Sequence, residues 1–107
     1  MKKVVYNSCF GGFSISKECA EWMADRGNVE CEEGLRKHRP DWEFGSLSKT
    51  PRHDAILVLA VEALGEKASG MSANLKIREI TADRYYIDEY DGSESVVTPK
   101  DIKWTLV

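Results

Sequence analysis

The chain has 107 residues, of which 42% are hydrophobic and 31% are charged, a composition typical of one globular domain with a single core. Its net charge of -3 argues against general binding to duplex DNA or to anionic membranes, because either requires a basic surface. The longest apolar run, residues 55–61, is too short to span a membrane, and the start lacks a signal-peptide pattern. We therefore expect a cytoplasmic protein.

The chain begins with a predicted strand at residues 4–6, followed by a turn at Gly11 and Gly12. A helix is predicted from about residue 16 to residue 26, with Ser14 and Ser16 both suited to its N-cap and Gly27 placed to end it. Exposed amide groups where a turn leads into a helix are a common place to hold phosphate or carboxylate. The sequence thus indicates an anion contact at the two glycines.

Phe10 and Phe13 flank these glycines, and they suit either stacking on a ligand or filling the core. The pair Gly11-Gly12 matches neither the dinucleotide-binding fingerprint nor a Walker loop, both of which need further residues. A tight turn between two core aromatics is therefore the alternative interpretation of this stretch.

Cys9, Cys19 and Cys31 are an odd number of cysteines without a Cys-x-x-Cys spacing. This argues against a disulfide framework and fits a reducing compartment. A zinc site would combine them with His38 or His53 at spacings that match no common template. We expect three reduced thiols, no bound metal and no cofactor.

Residues 27–50 are predicted to form a long connection, which in a small domain is usually functional or partly mobile. Within it, residues 42–44 alternate as a short edge strand would. The basic cluster at residues 36–39 suits either solvated charge that offsets nearby glutamates or a binding patch.

Asp54 is the predicted N-cap of a second helix in which every residue from 55 to 61 is apolar. A helix that is apolar all round should be buried all round. In a chain of this size, that burial requires cover by the long connection or by a second subunit. We expect a homo-oligomer.

Three strands are predicted in the last third of the chain, at residues 74–80, 84–90 and 95–98. The pair Asp91-Gly92 is a strong hairpin signal between the last two. The sequence therefore predicts an α+β fold in a single domain of residues 1–107, with an N-terminal strand, two helices and a C-terminal antiparallel β-meander. A short terminal element at residues 101–104 would pack Trp104.

Alternation in these strands assigns the faces of the predicted meander. One face should pack on the second helix and carries Leu75, Ile77, Tyr85 and Ile87. The outer face suits either stacking and phosphate pairing or ordinary solvation, and it carries Lys76, Arg78, Arg84, Tyr86, Asp88 and Tyr90.

Catalysis needs a nucleophile, a base and an orienting group, and no such set is evident in the sequence. Cys9 or Cys31 with His53 is a conceivable set that sequence alone does not bring together. We expect binding without catalysis, with phosphate held by glycine amides and an arginine, a base stacked on aromatic rings, and asparagines reading polar edges. The candidate ligand-binding residues are Asn7, Phe10, Gly11, Gly12, Phe13, Arg52, His53, Asn74 and Tyr90. For Arg52 and His53 the alternative is that both are solvated beside the Asp54 cap.

The N-terminal motif Asn7-x-Cys9-Phe10-Gly11-Gly12-Phe13-x-Ile15-Ser16 resembles a family of small proteins of tailed bacteriophages and prophages. Further matching segments are residues 52–54, 61–65, 75–77 and 89–92, whereas residues 27–50 are unmatched. The chain departs from the family pattern at Ala55, where a proline often stands, and at Ala63, where the pattern has glutamate.

The resemblance implies a phage accessory protein made in the host bacterial cytoplasm. By analogy with other such proteins, it implies a counter-defence role in which the chain sequesters a nucleotide immune signal, such as a cyclic ADP-ribose derivative or a cyclic oligonucleotide. The alternatives are a protein–protein inhibitor of a host enzyme and, less favoured, a small hydrolase or lyase acting on such a signal.

Overall fold

The computed structural model describes residues 2–37, 47–103 and 105–107. In these ranges the chain forms an α+β fold with an N-terminal strand, three α-helices and antiparallel strand pairs. The elements are β1 (Lys2–Asn7), α1 (Lys17–Asp25), α2 (Val29–Arg36), α3 (Ala55–Leu64), β2 (Leu75–Ile80), β3 (Tyr86–Tyr90) and β4 (Ser93–Val97). Short 3-10 helices follow α3 and β4, at Gly65–Ala68 and Pro99–Asp101.

β1 lies between two layers of side chains. It pairs antiparallel with β2, with Val5 opposite Ile77. Val4 and Val5 are both fully buried although they face opposite sides of the strand. Val5 belongs to the larger core cluster with the helices, whereas Val4 packs with Ile80 and Val96 beneath the hairpin of β3 and β4. Both faces of β1 are therefore covered.

The predicted β-meander is wrong, because β2 pairs with β1 while β3 pairs with β4 in a second two-stranded sheet. The hairpin turn itself is confirmed. Asp91 and Gly92 both have positive φ, as this two-residue turn requires.

The single predicted core face is also wrong, since the four residues assigned to it separate. Leu75 and Ile77 pack with the helices, while Tyr85 and Ile87 pack in the smaller cluster on the other side of β1. Arg78, predicted on the outer face, donates to the carbonyl of Val96 on the hairpin. The hairpin therefore packs against the face of β2 that alternation assigned to the outside.

The first helix is confirmed. The Ser16 hydroxyl caps α1 by accepting a hydrogen bond from the amide of Cys19 at 3.0 Å, and Gly27 follows the helix with a φ of 98°. Gly11 and Gly12 lie before this cap, so their amides are not those of the helix N-terminus, and that part of the prediction is corrected.

α2 occupies part of the predicted long connection. The side chain of Asn28 caps it by accepting from the amide of Cys31 at 2.8 Å, and it also donates to the hydroxyl of Thr50 at 3.1 Å. The predicted edge strand at residues 42–44 lies outside the described residues, as do His38, Arg39 and Trp104.

α3 begins at its predicted cap, with the Asp54 carboxylate accepting from the amide of Leu57 at 3.0 Å. Within the described part of a single chain, one face of this helix is solvent-exposed and carries Ala55, Leu59, Glu62 and Ala63. The opposite face is buried and carries Leu57, Val58, Ala60 and Val61. The predicted burial all round stays a prediction, because it depended on cover by the long connection or by a second subunit. Within the described ranges, no helix has the length and apolar character that crossing a membrane requires.

Candidate functional site

Asn7, at the end of β1, ties three loops together. Its Nδ2 donates to the carbonyls of Cys9 at 2.7 Å and Gly92 at 2.9 Å, and its Oδ1 accepts from the amide of Asn74 at 2.8 Å. The side chain is fully buried, and both hydrogens of its amide group are used. We call the meeting point of residues 7–12, 72–74 and 91–92 the loop junction. Asn7 was expected to read a ligand, but here its polar atoms bind the protein itself.

A buried ion pair supports the loop junction. Two nitrogens of the Arg52 guanidinium lie 2.5 and 2.9 Å from the two carboxylate oxygens of Glu94, which also accepts from the amide of Asn7 at 2.9 Å. Arg52 stacks on Phe13, with its guanidinium carbon 3.6 Å from the ring centroid. The arginine that the sequence assigned to phosphate is therefore neutralised internally, and Phe13 is its stacking partner.

Gly11 and Gly92 are explained by close approach of backbones, whereas Gly12 is explained by its positive φ of 86°. A Cβ on Gly11 would lie 1.8 Å from the carbonyl oxygen of Ser72. A Cβ on Gly92 would lie 2.3 Å from the carbonyl oxygen of Phe10 and 2.7 Å from the amide nitrogen of Gly12. Glycine is needed because the loops touch here.

Two predicted stacking residues border this junction and point outward. The side chains of Phe10 and Tyr90 are 68% and 80% exposed, and the neighbouring Met71 is 93% exposed. Asn74 takes part mainly through its backbone, since its carbonyl also accepts from the amide and hydroxyl of Ser8. The structure therefore gathers most of the predicted residues around the loop junction, as a scaffold with an exposed aromatic rim.

The side chain of His53 points away from that of its neighbour Arg52 and lines a recess at the beginning of β1. This polar recess has a volume of about 430 Å³ and is lined by Lys2, His53, Ile80, Ala82, Asp83, Arg84 and Tyr85. Lys2, which lines the recess, stands five residues before Asn7 in β1, which corresponds to roughly 17 Å at about 3.3 Å per residue. The recess is therefore distinct from the loop junction.

His53 and Tyr85 form the inner wall of the polar recess. The Nδ1 atom of His53 lies 2.8 Å from the tyrosine hydroxyl, and the rings meet edge to face at 5.7 Å between centroids. Burial raises the pKa of Tyr85, against the opposing charge of Arg52. The hydroxyl is therefore protonated at neutral pH. When it donates to Nδ1, the imidazole Nε2 carries hydrogen and can donate to an acceptor in the recess.

Cations outnumber anions around the polar recess. Lys2 and Arg84 add two positive charges, and the one acidic lining residue is Asp83, whose carboxylate lies 3.4 Å from the Arg84 Nε. Both members of that pair are largely exposed, so water screens their attraction and Arg84 can exchange Asp83 for a ligand anion. A phosphate or carboxylate fits this charge pattern.

An apolar groove adjoins the polar recess and shares two of its walls. The groove has a volume of about 380 Å³ and is lined by Lys2, Lys3, His53, Ala55, Val58 and Leu59. The Nζ of Lys3 is 2.6 Å from a carboxylate oxygen of Glu62, so that cation is paired. No cluster of three potential metal ligands occurs among the described residues.

Of the nine predicted ligand residues, His53 alone lines the polar recess. Lys2 and Tyr85 were not singled out as ligand residues, because they are ordinary surface types until the fold brings residues 53 and 85 together. Arg84 was named only on the outer sheet face, for which phosphate pairing was one of two interpretations. Comparison with known proteins gives no match to a protein-family model, to a curated protein or to a solved structure.

Proposed function

We propose that the chain binds a phosphorylated small molecule of nucleotide type in the polar recess and sequesters it without chemical change. The observation that carries the proposal is the convergence of Lys2, His53 and Arg84 on a recess of about 430 Å³. Small-molecule sites are typically concavities of about 300–1,000 Å³ with a few convergent polar groups.

The lining residues suggest how such a ligand would lie. The phosphate would pair with Lys2 and Arg84 and accept a hydrogen bond from His53, while the base would pack on the ring of Tyr85 and on Ile80. A guanidinium can pair with phosphate through two parallel hydrogen bonds, which fixes its orientation.

Binding is tested by calorimetry with ADP-ribose, cyclic ADP-ribose and cyclic dinucleotides as probes. Arg84→Ala should weaken binding about tenfold or more, since each 1.4 kcal/mol corresponds to a factor of ten. Lys100→Ala removes an exposed cation outside the recess and should leave affinity unchanged. Equal affinity in both variants, or no heat with any probe, would overturn the proposal.

Sequestration is tested by heat-denaturing the complex and analysing the released probe by mass spectrometry. Intact recovery supports sequestration. Altered probe would instead support the hydrolase or lyase alternative and would contradict binding without catalysis. The counter-defence role and the host cytoplasm remain part of the proposal, and they rest on the resemblance of the N-terminal motif.

A second candidate function, inhibition of a host enzyme by protein–protein contact, is favoured by the exposed rim of the loop junction. Phe10, Met71 and Tyr90 are all more than two-thirds exposed on loops held together by Asn7. Aromatic side chains on rigid supports are typical of interface anchors. If this function holds, Phe10→Ser with Tyr90→Ser should abolish inhibition of the target while Arg84→Ala leaves it intact.

A further inference from the structure

β3 is the least covered strand of the fold. Of the four strands in the described ranges, it alone has no buried residue. It pairs with β4 on one side, and no described residue hydrogen-bonds to its backbone on the other. The far edge of β4, by contrast, is used, since the carbonyl of Val96 accepts from Arg78. Within the described part of the chain, the hairpin therefore has an open edge at β3.

The hairpin turn decides which backbone groups point out of this edge. Both residues of the Asp91-Gly92 turn have positive φ, so the flanking residues Tyr90 and Ser93 form a hydrogen-bonded pair. Along an antiparallel hairpin, such pairs alternate with pairs that exchange no hydrogen bonds. The amides and carbonyls of Ile87 and Glu89 therefore point away from β4 and into the open edge.

The side chains beside the open edge are acidic and aromatic. Tyr86, Asp88 and Tyr90 share one face of β3, and the two tyrosines are 55% and 80% exposed. Asp88, Glu89 and Asp91 are exposed as well, and none of them forms an ion pair with another described residue. Three negative charges thus surround this edge without a cation from the described part of the chain.

These charges disfavour a second copy of the chain at the edge and favour a basic strand. Antiparallel pairing of β3 with its own copy about the strand centre would place Asp88 opposite Asp88, and like charges directly opposite each other are destabilising. A lysine or arginine opposite Asp88 would instead pair with its carboxylate. The same cation would lie between Tyr86 and Tyr90, whose rings attract cations.

We propose that β3 accepts an extended, basic segment of a partner protein as an additional antiparallel strand. The segment would hydrogen-bond to the backbone of Ile87 and Glu89 and direct a cationic side chain at Asp88. In this mode of recognition, the main chain provides affinity and the alternating side chains provide specificity. The proposal depends neither on a ligand in the polar recess nor on inhibition of an enzyme.

A labelled peptide of alternating lysine and threonine tests the charge requirement. Fluorescence anisotropy should show saturable binding to the wild type, whereas a peptide of alternating glutamate and threonine should not bind. Asp88→Lys should weaken binding about tenfold or more, because an attraction becomes a repulsion. Asp25→Lys makes the same charge change at an exposed position of α1 and should leave the affinity unchanged.

A second pair of variants separates strand addition from simple charge attraction. Glu89→Pro removes an outward amide without removing a hydrogen bond to β4, and proline is found on strand edges of this kind. Glu89→Gln removes the same charge but keeps the amide. Binding should be lost in Glu89→Pro and largely retained in Glu89→Gln, and far-UV circular dichroism checks that both variants fold.

Methylation of the peptide backbone makes the same test without altering the protein. In the antiparallel arrangement, the threonine amides face β3 and the lysine amides face away. Methylation of the threonine nitrogens should therefore abolish binding, while methylation of the lysine nitrogens should not. Absence of saturable binding by the lysine peptide, or equal binding of the two methylated peptides, overturns the inference.

Discussion

Arg52 and Glu94, 42 residues apart in the sequence, form a bidentate ion pair at 2.5 and 2.9 Å whose side chains are only 17% and 6% exposed. The pair joins the segment before α3 to β4. The Glu94 carboxylate also accepts a hydrogen bond from the amide of Asn7 at the end of β1. The position that looked best suited to binding phosphate is therefore a structural contact between distant parts of the chain.

Arg52→Ala should lower the free energy of unfolding by roughly 3 kcal/mol, because removing one member of a buried pair leaves the other charge uncompensated. Urea denaturation measures the loss. Arg84→Ala, which breaks an exposed pair with Asp83, should change stability by less than about 1 kcal/mol. Similar effects of the two substitutions would show that the buried pair contributes little.

Gly92→Ala should destabilise the chain more than Gly27→Ala does. Both glycines have positive φ, which disfavours alanine by about 1–2 kcal/mol in the left-handed region. A Cβ at Gly27 meets no atom within 4 Å, whereas one at Gly92 meets the Phe10 carbonyl oxygen at 2.3 Å. Thermal unfolding of the two variants isolates the contact, and equal melting temperatures would contradict a tight loop junction.

Low pH should weaken the ion pair between Arg78 on β2 and Asp101 in the 3-10 helix at Pro99–Asp101. Hydrogen bonding to Arg78 lowers the pKa of Asp101 from 3.8 to about 2, with further help from the Thr98 amide. Because this pKa is depressed in the folded state, the stabilisation is complete above the ordinary pKa of 3.8 and is lost as the pH falls towards 2.

When denaturation is compared above pH 3.8 and near pH 2, Asp101→Asn should therefore lose less stability between the two conditions than the wild type does. Asp88→Asn, on the exposed face of β3, is the matched control and should follow the wild type. Identical pH dependence of the wild type and Asp101→Asn would argue against the ion pair.

Thiol labelling should distinguish Cys9 from the other cysteines. Burial raises the pKa of both Cys19 and Cys31 to about 12, which keeps them as unreactive thiols at mildly alkaline pH. Iodoacetamide with peptide mass spectrometry should modify Cys9 alone in the native chain and all three after unfolding in urea. Rapid native labelling of Cys31 would show that the packing of α1 against α2 opens readily.

Local patterns in the sequence predicted where helices and turns lie better than they predicted which strands pair. Ser16, Asp54 and the Asp91-Gly92 turn act within a few residues, and each is found in its predicted role. Strand pairing was wrong because alternation in β2 does not say which strand lies beside it. The adjacent valines Val4 and Val5 carried the missing signal in the sequence. Consecutive apolar residues in a strand indicate that both of its faces are covered, and both valines are buried.

α2 was missed for a similar physical reason. Of its eight residues, only Cys31 and Gly34 are buried, so its apolar periodicity is weak. The Asn28 cap was the available signal. The polar recess could not be derived at all, because the contact between His53 and Tyr85 joins positions 32 residues apart that carry no common local pattern.

The position of β1 has a consequence for the order of events during synthesis. This strand is synthesised before the other elements of the fold, yet its hydrogen-bonding partner begins at Leu75 and the cover for Val4 arrives only with β4. Its apolar segment must therefore stay without a complete set of native partners until β4 has emerged, an interval in which it is available to chaperones and to neighbouring nascent chains.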